Sequence, residues 1–104
     1  MSLNALEQSI IDDMLSRRPD LAGLVPALTE THLALVRCYD GGGTLFTCGN
    51  GGSHADAVHI VGELCKSFER RRTLEPAFTA ALEGLPFGEE LAAHLEAGLP
   101  AVTL

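Results

Sequence analysis

The run from Gly41 to Asp56, Gly-Gly-Gly-Thr-Leu-Phe-Thr-Cys-Gly-Asn-Gly-Gly-Ser-His-Ala-Asp, constrains this chain more than any other. Three glycines break whatever helix precedes them, and Thr44 to Cys48 is an apolar, β-favouring run of buried-strand length. Gly49 to Gly52 then allows a sharp backbone turn. Ser53 with Asp56 three residues on reads as a Ser-x-x-Asp capping box at the start of a helix. Such a loop aims several backbone N–H groups and a helix N-terminus at one spot, which suits a phosphate or another anion. The alternative is a strand-to-helix turn that uses glycine only for tightness.

Around this run the pattern is mostly helical. Leu3, Leu6, Ile10, Ile11, Met14 and Leu15 recur at three- and four-residue steps, predicting an amphipathic helix from Ser2 to about Arg17. Asn4, Glu7 and Asp13 fall on its wet side, and Arg18-Pro19-Asp20 closes it. A second helix carries Leu24, Leu28, His32, Leu35, Val36 and Tyr39 on one face, with Pro26 in the first turn, and ends at Asp40. His32, on that apolar stripe, is expected to be a satisfied core histidine.

A third helix is predicted from His54 to about Phe68, with Ala57, Val58, Val61, Leu64, Cys65 and Phe68 as its buried stripe. Leu74–Leu82 and Glu89–Glu96 read as short helices. Leu99 to Leu104 reads as a second buried strand. A strand, a helical crossover and a parallel strand make one right-handed unit. The expected class is therefore α/β and helix-rich, with a helical segment over residues 1–40 and a β-α-β unit over 41–104. Parallel sheets are normally covered on both faces, so the sequence reads as the first half of an α/β domain.

Composition narrows the function. The chain of 104 residues is 46% hydrophobic and 20% charged, a globular balance, and its net charge of −7 disfavours nucleic acid as a partner. Three cysteines without C-x-x-C spacing argue against a disulfide framework or a thiolate zinc site. No signal peptide or membrane-length apolar run is visible, so a cytoplasmic protein without a membrane partner is expected. The loop matches neither a dinucleotide fingerprint nor a triphosphate-binding P-loop, since His54 stands where a third glycine would and no Lys follows.

His59 and Glu63 are an i, i+4 pair on the third helix. Such a pair can supply two ligands to a divalent metal or couple a proton-transfer base to a polarising partner; a surface hydrogen bond is the plainer alternative.

Cys48 to His59, followed by Glu63-Leu64, closely resembles the signature of the phosphoheptose isomerases, within the sugar isomerase (SIS) superfamily. The resemblance is specific over residues 41–68 and implies a partial SIS-type, three-layer Rossmann-like fold. It implies a sugar-phosphate aldose–ketose isomerase in which Asn50, Gly51, Gly52 and Ser53 bind the phosphate. Glu63 would be the catalytic base, and His59 with Glu63 would contribute to a zinc site found in some members. A non-catalytic binding protein on the same fold, similar to SIS proteins that associate with a replication initiator, is the alternative. Departures from the family pattern include Gly62, a position often occupied by Glu, and the absence of a second Ser/Thr-rich phosphate loop and of a C-terminal Gln and His. The 104-residue chain alone is accordingly expected to be inactive. An open strand edge and apolar helix faces imply a homo-oligomer, a dimer or tetramer, joined through the N-terminal helices.

Overall fold

The computed structural model describes residues 1–104 as two compact units, Met1–Gly43 and Thr44–Leu104. The first holds α1 (Ala5–Arg17), a 3-10 turn over Pro19–Leu24, and α2 (Val25–Asp40). Helix α1 begins at Ala5 rather than Ser2, because Asn4 caps it. The Asn4 side chain accepts from the Glu7 amide (2.9 Å), and the Asn4 amide donates to Glu7 Oε2 (2.7 Å), a reciprocal capping box. Arg18-Pro19 ends α1 as expected, since Pro cannot continue the ladder, and Pro26 lies in the first turn of α2.

Glu7 is not on the wet side. Its Oε1 meets His32 Nε2 at 2.8 Å, at one end of an apolar groove of about 250 Å³ whose walls include Leu3, Ile10, Ile11 and Leu28. His32 is thus satisfied, though only part-buried. The Asn4 amide, then His32, hold the Glu7 carboxyl below its usual range. A carboxyl with a depressed folded-state pKa adds stability above its unfolded value and loses it as pH falls through the folded one. Thermal unfolding of the wild type and Glu7→Gln should therefore differ at neutral pH, with the wild type the more stable. The difference should shrink as pH falls from the ordinary glutamate range through the depressed folded-state value.

The second unit holds β1 (Leu45–Thr47), α3 (Gly52–Cys65), α4 (Pro76–Leu82), α5 (Gly88–His94) and β2 (Ala101–Thr103). The strands are parallel, pairing Leu45 with Ala101, Phe46 with Val102 and Thr47 with Thr103. The expected β-α-β unit is present, with strands a residue or more shorter at each end than the apolar runs. Because side chains alternate across a strand, Leu45 and Thr47 point to one sheet face and Phe46 to the other. Helix α3 covers the first face, where Thr47 Oγ1 donates to the Ala57 carbonyl at 3.1 Å. Ala57, 4% exposed, is the one buried apolar side chain of the chain. On the opposite face Phe46 and Val102 stand 60% and 45% exposed.

Of the stripe expected on α3, Ala57, Val61 and Leu64 pack inward, while Val58, Cys65 and Phe68 are exposed and Ile60 joins them. Helix α3 also stops at Cys65, short of Phe68. Its last turn is tied to the later chain. The Leu99 amide donates to the Leu64 carbonyl at 2.8 Å, and Arg72 reaches the same end of the helix. No helix is long and apolar enough to cross a membrane.

Candidate functional site

The glycine loop is built by two glycines for different reasons. Gly51, at φ 57° and ψ −122°, occupies a region that residues with a side chain rarely adopt, and it is the residue from which α3 starts. Gly49 lies directly under that start. A Cβ placed on it would fall 2.5 Å from the Ser53 carbonyl carbon and 2.6 Å from its oxygen. The loop therefore folds its backbone onto the first turn of the helix.

The capping box expected of Ser53 and Asp56 is not formed. Helix α3 begins at Gly52, with Gly51 as its cap residue and no side-chain capping bond. The positive-φ turn at Gly51 begins the helix early, so Ser53 already lies within its first turn. The Ser53 amide donates to the Asn50 carbonyl (3.1 Å), and the His54 and Ala55 amides both donate to the Gly51 carbonyl (3.1 and 3.3 Å). The Gly51 and Gly52 amides find no acceptor within the chain, so they are open at the positive end of α3 to hydrogen-bond water or a ligand.

Released from capping, Ser53 and Asp56 line one hollow of about 410 Å³ with Thr47, Cys48, Ala57 and Ile60. Asn50 is exposed beside it in sequence and is not part of its wall. A hydroxyl and a carboxylate one helical turn apart suit the hydroxyls of a polyol, Asp56 accepting and Ser53 either donating or accepting.

Farther along α3, His59 Nε2 and Glu63 Oε1 stand 3.2 Å apart, as the i, i+4 spacing predicts. Lys66 Nζ approaches the other carboxylate oxygen, Oε2, at 3.0 Å. Glu63 is half-sheltered while His59 is open to solvent. The Lys66 ammonium first, with His59 adding to it, holds the Glu63 carboxyl below the usual carboxylate range. It is therefore fully ionised at neutral pH.

A match to the SIS domain model runs over residues 23–97, most of the chain. The chain belongs to the SIS domain family. Among curated relatives it is 38% identical to a phosphoheptose isomerase of Escherichia coli over 53 residues, 51% of this chain and 28% of that protein. It is 31% identical to one from Glaesserella parasuis over 70 residues, 67% of this chain and 34% of that protein. A third, from Proteus mirabilis, is 35% identical over 65 residues, 62% of this chain and 34% of that protein. The chain spans about a third of the length of these relatives. No solved structure matches it significantly.

Within this SIS chain, Arg72, the last of three consecutive arginines, is a structural residue that no spacing in the sequence singles out from the other two. Its guanidinium donates from Nη2 to the carbonyls of Leu64 (2.6 Å), Glu63 (3.3 Å) and Lys66, and from Nε to Ala97 (2.9 Å). Its own amide donates to Ser67 Oγ at 2.6 Å, and its carbonyl accepts from the Ala97 amide at 2.9 Å. Arg72 thus caps the C-terminal carbonyls of the helix that carries Glu63 and straps it to the approach to β2. A basic residue a few positions past a helix end was the available signal.

Proposed function

We propose that this chain is the phosphate-binding and base-bearing part of a sugar-phosphate aldose–ketose isomerase. Asn50, Gly51, Gly52 and Ser53 hold the phosphate, and Glu63 moves a proton between C1 and C2 through an enediol. What supports the reading most is the single helix that joins both parts within a SIS chain matched to phosphoheptose isomerases. The open amides of Gly51 and Gly52 lie at its positive end, and the ionised carboxylate of Glu63 lies about three turns on.

The separation favours a long substrate. Ser53 and Glu63 are ten residues apart, about 15 Å along the axis. Glu63 leans back to His59, four residues or about 6 Å nearer the loop. What remains suits an extended sugar with its carbonyl and its phosphate at opposite ends, with Ser53 and Asp56 beside the intervening hydroxyls. A triose phosphate is too short for that span.

His59 and Glu63 also fit half of a zinc site. Two ligand atoms each 2.0–2.1 Å from one tetrahedral metal lie about 3.3 Å from each other, close to the observed 3.2 Å. Zinc held there would polarise the substrate carbonyl; the chain's own part is to keep Glu63 ionised and oriented, through Lys66 on Oε2, with His59 on Oε1 in the metal-free chain and beside it as a ligand when zinc is held. Association of chains through Leu6, Ile10, Leu24 and Leu28, all exposed on the N-terminal unit, belongs to the same proposal.

The test is phosphorus NMR of sedoheptulose 7-phosphate titrated with the chain. Saturable line broadening is expected, weakened at least about tenfold by Ser53→Ala with Asn50→Ala, and left nearly intact by Glu63→Gln. Binding indifferent to the loop double variant would overturn the assignment.

A further inference from the structure

Between α4 and α5 the chain turns through a tight elbow. The Leu85 amide donates to the Leu82 carbonyl (3.2 Å), the Gly88 amide to Leu85 (2.9 Å) and the Leu91 amide to Phe87 (2.9 Å). Gly88 is buried against the end of α4, where a Cβ would fall 2.0 Å from the Leu82 oxygen, so the backbone path is fixed. Phe87 sits at its apex at φ 61° and ψ 14°, the one non-glycine residue of the chain in the left-handed region. That conformation crowds the Cβ of an L residue against the backbone. Gly84 fills a similar need nearby at φ 76°. At residue 87 the chain instead bears the strain and carries an aromatic ring that is 76% exposed.

Two grooves of about 510 and 500 Å³ flank that ring. One is mainly polar, with Leu85, Glu89 and Glu90 on its wall; the other is mainly apolar, with Pro86, Leu91 and Leu95 beside Glu90 and His94. From Thr73 to Leu104 the chain carries Glu75, Glu83, Glu89, Glu90 and Glu96 and no Lys or Arg at all. The surface is therefore apolar around Phe87, Leu91 and Leu95 and mostly acidic at its rim, where Arg71 reaches α5 only at the Ala93 carbonyl.

We propose that the elbow at Phe87 is a docking surface for a basic amphipathic segment of another protein. The partner's apolar side chains fill the groove between Phe87, Leu91 and Leu95, and its Lys or Arg residues lie over the more polar groove at Glu89 and Glu90. Charge selects this occupant over a second copy of the chain. Two elbows meeting face to face would bring like charges together. Most cations of a second copy are already engaged: Arg17 with Asp13, Arg18 with Asp20, Lys66 with Glu63, and Arg71 and Arg72 with backbone carbonyls. The inference does not rest on the isomerase reading, whose residues lie outside the elbow.

The probe is a fluorescent synthetic peptide of about 18 residues, long enough to form a helix, with Leu on one face and Lys elsewhere. It is titrated into the full chain by anisotropy, with amide shifts mapped by NMR. Saturable binding is expected, with shifts concentrated on Leu85 to Leu95, and with Phe87→Gly weakening it by about tenfold or more. Phe87→Gly keeps the charge and relieves the backbone, so its melting temperature should be equal or higher, separating lost docking from lost fold. Equal binding by a Glu-for-Lys peptide, wild-type affinity in Phe87→Gly, or shifts mapping elsewhere would overturn the proposal. Sedimentation showing a self-association that Phe87→Gly abolishes would assign the face to a second copy and overturn it equally.

Discussion

Gly49→Ala is expected to abolish ligand binding at the loop and to destabilise the second unit by about 2–3 kcal/mol. The added methyl meets the backbone of Ser53 and not the flexible tip of a side chain, with its carbonyl carbon and oxygen at 2.5 and 2.6 Å. Relief requires the loop to lift off the first turn of α3 or the helix to shift. Either movement displaces the Gly51 and Gly52 amides from the N-terminus they extend. Denaturant unfolding read by circular dichroism gives the stability change, and phosphorus NMR of added sedoheptulose 7-phosphate reads out the proposed site. A Gly49→Ala chain with wild-type stability and binding would show that the loop does not lie against the helix.

Arg72→Met should cost roughly 2–4 kcal/mol, because charge-assisted bonds to several carbonyls disappear together. The Leu64 and Ala97 carbonyls lose their donors at 2.6 and 2.9 Å, and the strap between α3 and the approach to β2 goes with them. Hydrogen exchange should locate the damage. Amides of the last turn of α3 and of Leu99 should lose protection, while those of α1 and α2 keep theirs. Arg72→Lys should recover only a fraction, since one ammonium cannot span carbonyls at positions 64 and 97 as a planar fork does.

Much of this architecture is legible from local pattern. The apolar run after three glycines gives β1, the final apolar run gives β2, and each short helix of the crossover is visible as an apolar cluster bounded by Gly or Pro. The i, i+4 spacing alone places His59 beside Glu63. What escapes is whatever depends on a partner distant in sequence. Arg72 reads as one member of a basic triplet until Ala97 and Leu64 are brought to it. Glu7 reads as a solvent-facing carboxylate until His32, 25 residues later, arrives.

Ser53 reads as a helix cap because its spacing to Asp56 is right. The backbone of Gly51 decides otherwise, in a conformation that no spacing encodes. The stripe on α3 shows a different limit. Periodicity identifies which face is apolar, not whether anything covers it, so Val58 and Phe68 match the pattern and stand in solvent. In the candidate site the loop and the two helical residues are legible from sequence. The hollow that Ser53 shares with Asp56 is not, because it forms only where α3 packs against the end of β1 and brings Thr47 and Cys48 to it.

The side of the sheet turned away from α3 has a practical consequence. Phe46 and Val102 are register partners, so an aromatic ring and a branched aliphatic chain form one small greasy plate on a chain with its secondary structure intact. Dyes that brighten on apolar surfaces will fluoresce with this protein at rest, before any tertiary packing is lost. For this chain such brightening is a baseline to subtract, and a rise above it with temperature or acid is the signal of loosening.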